Sequence, residues 1–143
     1  MTGKGIKTIL VAVDGSAQSR RVVKKGLTMA VCFSAKVILL YVRQKVSDLL
    51  GEPYYEQVLI KHISQAEEAV KPLKKMLEER GVRHEMLILE GDPAEAIIDA
   101  AADEKCDLIV MGTRGLSNLK SIALGSVSHK VLQSADCMVL IVP

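Results

Sequence analysis

Five short runs of this chain are apolar almost without interruption: "ILVAV" at 9–13, "VILLYV" at 37–42, "MLIL" at 86–89, "LIVM" at 108–111 and "MVLIV" at 138–142. A strand with one wet face alternates apolar and polar residues, whereas a strand covered on both faces reads as a continuous apolar run. The runs therefore predict a parallel sheet lying between helices. The intervals supply those helices. Residues 16–32 open with Ser16, a candidate N-cap. Residues 55–80 carry Leu59, Ile63, Ala66, Val70, Leu73 and Leu77 at three-to-four spacing and run into Gly81, a natural C′ glycine. Asp92 and Pro93 form a cap and first-turn pair for a third helix, and a fourth is expected from about Ser126 to Ser134. Five strands alternating with four helices give an α/β fold: an open, Rossmann-like sheet with helices on both faces.

No linker, low-complexity tract or repeat divides residues 1–143, which read as one domain. Pro72 removes a backbone donor inside the second helix and is expected to kink it. The long connection "RQKVSDLLGEPY" at 43–54 reads as an ordinary surface loop in preference to a flap over a site. The third strand begins "VRHE", polar enough for a sheet edge in water, while the fifth, "CMVLIVP", is apolar throughout. A bare apolar margin invites aggregation. Its simplest cover is a second copy of the chain, Met138–Val142 pairing across a two-fold axis as an isologous homodimer.

Composition excludes several classes of function. A formal charge of +2 is too small to draw nucleic acid or an anionic membrane surface, and aromatics at 3% leave few platforms for stacked bases. No apolar run approaches the eighteen or so residues of a membrane span. The start "MTGKGIKT" lacks the apolar core of a secretory leader, and a cytoplasmic location is expected. Cys32, Cys106 and Cys137 form no CxxC and sit beside apolar residues, which predicts buried reduced thiols. His62, His84 and His129 have no metal-ligand spacing and are expected in surface or cap roles.

The chemistry gathers where the strands end. In open α/β sheets ligands bind outside the carboxyl ends of the strands. The first strand runs into "VDGS", which puts Asp14 at its tip, and the fourth runs directly into "GTRGLSNLKSIALGSVS" at 112–128. Gly112 and Gly115 can take positive φ and, lacking a Cβ, let backbone amides approach an oxyanion. Gly125 precedes the last helix, whose first amides have no internal partner and whose dipole favours negative charge. Ser126 and Ser128 add hydroxyls, and Arg114 and Lys120 add positive charge. A phosphate chain matches these groups. Ser126 as a simple cap, or Asp14 as a turn residue, is the plainer reading of each taken alone. No GxxxxGK[ST], no GxGxxG after a strand and no serine elbow is present.

Those residues carry a resemblance. "VAVDGS", "VILLYV", "DLIVMGTRG" and "GSVSHKVLQSADCMVLIVP" resemble the universal stress protein family over nearly the whole chain. The most specific part is Gly112, two residues, Gly115, nine residues and Gly125-Ser126, the pattern of its ATP-binding branch. The resemblance implies a five-stranded parallel sheet ordered 3-2-1-4-5, similar to adenine nucleotide alpha hydrolases, and a homodimer through the last strand. It further implies that Asp14 and the backbone near Ala12, Val13 and Val42 receive adenine and ribose. Met111, Gly112, Arg114 and Gly115 would line the ribose and α-phosphate. Gly125, Ser126, Val127 and Ser128 would hold the phosphates, bridged by Mg²⁺ or Mn²⁺. Position 114 varies in the family.

Holding ATP differs from cleaving it. Phosphoryl transfer needs a positioned nucleophile, and the phosphate loop contains no carboxylate or glutamine to orient a water. A nucleotide-dependent switch acting through the dimer is the favoured reading. A partner-binding module with a vestigial pocket and a weak ATP hydrolase are the alternatives. An "SGGxDS"-type loop, typical of enzymes that cleave ATP at the α-phosphate, is replaced here by "DGSAQS".

Overall fold

The computed structural model describes residues 5–113 and 124–143. Along the chain come β1 (Thr8–Val13), α1 (Gln18–Phe33), β2 (Lys36–Arg43), α2 (Tyr54–Glu79), β3 (His84–Glu90), α3 (Pro93–Asp103), β4 (Leu108–Gly112), α4 (Ser126–Ser134) and β5 (Met138–Val142). The strands form one parallel sheet in the order β3-β2-β1-β4-β5. The order reverses at β1 and β4, and this is where a crevice opens between the two halves.

Alternate side chains of each strand enter opposite cores, as the pleat requires. Ile9, Val11, Val37 and Leu39 meet α1 and α2 through Val23, Leu27, Val70 and Leu77. Leu10, Ile38, Leu40 and Ile109 meet α3 and α4 through Ile97, Ala100 and Val131. Continuous apolar runs are thus the consequence of two buried faces. No described helix is long and apolar enough to cross a membrane.

Helix ends explain the boundaries. Gly81, at φ +65°, donates its N–H to Glu78 O, and Val82 donates to Leu77 O, the paired bonds of a Schellman stop. Asp92 caps α3, accepting from Glu95 N at 3.0 Å. Ser16 does not cap α1. That position belongs to Ala17, without a side-chain bond, because the Ser16 N–H is drawn into a turn by Asp14 Oδ1 at 2.9 Å. Pro72 lies inside α2, which runs on as one helix from Tyr54 to Glu79. The 43–54 connection forms a single 3₁₀ turn at Asp48–Leu50, anchored by buried Val46. Cys106 is buried and Cys137 half-buried, but Cys32 is exposed, since it falls on the outer side of α1.

Candidate functional site

A cavity of about 670 Å³ opens at the carboxyl ends of β1, β2 and β4. From the β1 end it takes Ala12, Val13 and Asp14, and from the β2 end Val42. Met111 and Gly112 reach it from β4, and Gly125, Ser126, Val127 and Ser128 from the start of α4. Arg114, Gly115 and Lys120 lie outside the described residues.

The β1–α1 turn is built around Asp14. Its Oδ1 accepts from Ser16 N and from Ser19 Oγ at 3.2 Å, while Ser19 Oγ accepts from the N–H groups of Asp14 and Gly15. Ser19 is 3% exposed, so the turn is held from below by a buried hydroxyl. Gly15, at φ +82°, makes the reversal that brings Asp14 to the rim.

Gly112 has a different reason to be glycine from the one its position in the sequence suggests. Its φ is not positive. A Cβ there would lie 2.6 Å from Gln18 Oε1 and 2.8 Å from Gln18 Cδ. The Gln18 amide crosses from α1 to donate to Val142 O at 3.1 Å, a carbonyl that also accepts the Thr113 N–H. Gln18 was not among the expected site residues. Its place depends on a contact 94 residues away along the chain, which no local pattern encodes.

The N-terminus of α4 points into the cavity without a side-chain cap. Gly125, extended at φ −76°, is the N-cap, and among the described residues no side chain caps the first amides of the helix. Gly125 N itself is tied to Thr113 O. Ser126 is exposed. Ser128 is 2% exposed and its single hydroxyl proton is shared between two carbonyls, Thr113 O at 2.9 Å and Gly125 O at 3.1 Å. Its hydroxyl therefore braces the loop at the start of α4.

Polar side chains from α2 complete the wall. The buried residues of α2 are Ala66, Val70, Leu73 and Leu77, all at or beyond its midpoint. The first half extends beside the cavity, which His62 and Gln65 line. His62 is thus not a surface or cap histidine. Its Nδ1 is buried without a partner among the described residues, as is Ser16 Oγ. Its signal in the sequence, a histidine beside the apolar positions Leu59 and Ile63 of an amphipathic helix, is too common to single it out. Arg43 also lines the cavity while pairing with Glu90 at 3.1 Å. Among the described residues no three of His, Cys, Asp and Glu gather to hold a metal.

Comparison with known proteins fits this architecture. The model of the "Universal stress protein family" matches residues 5–143. A universal stress protein encoded beside a sulfhydrylase in Thermus aquaticus is 43% identical over 137 residues, covering 95% of this chain and 98% of its own. The solved structure of MJ0577, a universal stress protein of Methanocaldococcus jannaschii, superposes with a TM-score of 0.86 at 32% identity, covering 96% of this chain and 95% of that one. A universal stress protein solved in complex with cAMP gives a TM-score of 0.71 at 26% identity, with 98% of each chain covered. With its sheet order, its strand-end cavity and these likenesses over nearly its whole length, the chain belongs to the universal stress protein family.

Proposed function

We propose that the cavity binds an adenine nucleotide, ATP in the first place, and that the chain acts as a nucleotide-dependent switch through a homodimer paired at β5. The observation that carries this reading is the uncapped N-terminus of α4, opening into a strand-end cavity that Asp14 and Gly112 also line. Free helix amides and the positive end of the dipole suit a phosphate. The cavity's apolar side, with Val42, Ile97 and Met111, suits a base. A family relative solved with cAMP supports an adenine ligand.

The residues at hand fit such a ligand. Two buried polar atoms without partners among the described residues border the cavity, and an acceptor is wanted at the helix start. A divalent ion, Mg²⁺ or Mn²⁺, would be held by the phosphates, with no cluster of protein ligands to cage it among the described residues. Holding is favoured over cleavage. The amide of Gln18, which lines the cavity, is committed to Val142 O. A cytoplasmic setting is proposed with it.

Gly125→Asp tests the site. At φ −76° and ψ 170° any residue fits, and aspartate is among the best N-caps. The ligand-free protein should be as stable as wild type or more so by a few tenths of a kcal/mol. ATP affinity should fall more than tenfold, since the new carboxylate occupies the amides and repels phosphate, while adenosine affinity stays. Unchanged ATP affinity in titration calorimetry would overturn the assignment.

A further inference from the structure

Ser16 Oγ and His62 Nδ1 are the buried side-chain polar atoms that lack a hydrogen-bond partner among the described residues. They come from separate elements, the β1–α1 turn and α2, yet both residues border one cavity. A buried unpaired polar group costs as much as a lost hydrogen bond, and native proteins keep few of them. Local structure does not account for either. Ser16 does not cap α1, and its N–H is already satisfied by Asp14. His62 precedes the first buried residue of α2, Ala66, by one turn, so core packing does not ask for an imidazole there.

The surroundings point the same way. Gln65 and Gln44 border the cavity on this side, whereas Pro93 and Ile97 face it from α3. One wall is therefore rich in hydrogen-bonding groups and the other apolar. A flat heterocycle with its sugar can lie on the apolar wall and turn polar edges to the other. Because α2 packs on one face of the sheet and α4 on the other, His62 approaches from the side opposite the phosphate-facing helix start.

We propose that His62 and Ser16 are specificity-determining residues that hydrogen-bond the nucleoside half of the ligand. This rests on the adenine-nucleotide reading of the cavity. It predicts a pattern across ligands that phosphate contacts cannot produce. His62→Leu should weaken adenosine, AMP and ATP by one common factor, about 5- to 20-fold, since the lost bond is to the part they share. Ser16→Ala should do the same with its own factor. His62→Asn, which restores a short polar group near the Nδ1 position, should recover part of the affinity.

Calorimetric titration of the three ligands, with the melting temperature of each ligand-free variant, decides the matter. A uniform loss, with ligand-free melting unchanged or higher, is the expected result. Equal affinities for wild type and His62→Leu would overturn the specificity role and leave the adenine reading standing. A loss confined to ATP would overturn it too, by moving the contact to the phosphates. Wild type that binds none of the three ligands would overturn both. Should His62→Leu fail to fold, Ser16→Ala and His62→Asn carry the same comparison.

Discussion

At the residue scale, Gly112 and Gln18 behave as one unit. A methyl group at 112 meets the end of the Gln18 side chain at 2.6 Å, and that side chain can swing away only by giving up its bond to Val142 O. Gly112→Ala should therefore cost about 1 kcal/mol, the usual worth of such a bond. In a Gln18→Ala background the same change should cost almost nothing, and a double-mutant cycle by urea unfolding measures the difference. Burial sets the cysteines apart as well. It pushes the Cys106 thiol from an ordinary 9.0 up to about 12, with the neighbouring Cys137, Glu104 and Asp107 acting in the same direction. Burial and the nearby Asp107 and Asp136 raise Cys137 too. A thiol reagent at neutral pH should label exposed Cys32 quickly and Cys106 only on unfolding. The folded state holds the Cys106 proton more tightly than the unfolded chain. Its contribution to stability is complete below about pH 9 and is lost as pH rises toward 12. Sequence made Gly112, Asp14 and Gly125 legible as lining of the strand-end cavity because each sits beside a strand or helix end. It could not show Gln18 or His62, whose roles come from tertiary neighbours, and it gave Gly112 the wrong physical reason.

At the scale of elements, the pattern of apolar runs sufficed for strands and helices because both faces of the sheet are covered. Boundaries followed wherever a cap was unambiguous, as at Gly81 and Asp92. They failed at Ser16, where an aspartate two residues earlier competes for the same turn. The packing of α1 on β1 shows what periodicity leaves out. Gly26 lies in the middle of α1, where alanine would be favoured by about 1 kcal/mol of helix propensity. A Cβ there would stand 2.6 Å from Val11 Cγ2, part of a stiff, fully buried side chain in the central strand. Overpacking of this kind costs about 1–3 kcal/mol and wins over propensity. Gly26→Ala should lower stability, and the same change should cost less in a Val11→Ala background, where the space is open. If Gly26→Ala melted higher than wild type, close contact would not be what selects glycine there.

At the scale of the whole molecule, the two sheet edges are unlike. Along β3, Glu85 and Glu90 form ion pairs with Lys36 and Arg43 of β2, so charge guards that margin. The β5 margin, "MVLIV", has no charged residue, and Met138 is 56% exposed. Pairing of this edge with a second copy is the proposed dimer, and Met138→Lys tests it. An exposed position tolerates the change within about 0.5 kcal/mol of monomer stability, whereas an edge lysine opposes strand addition. Sedimentation should show wild-type dimer and a weaker association for the variant. The cavity and this edge share a joint: Val142 O accepts from both Gln18 Nε2 and Thr113 N, and Thr113 O holds Gly125 and Ser128 at the start of α4. Ligand phosphates drawn to the α4 amides would pull on the same bonds that fix the end of β5. Coupling of this kind is reciprocal. If saturating ATP strengthens the dimer by some factor, dimerisation must strengthen ATP binding at each of the two equivalent sites by the square root of that factor. Gln18→Ala should shrink both together while leaving adenosine affinity near wild type. Dimer constants that stay the same with and without saturating ATP would leave the cavity a binding site but remove the switch.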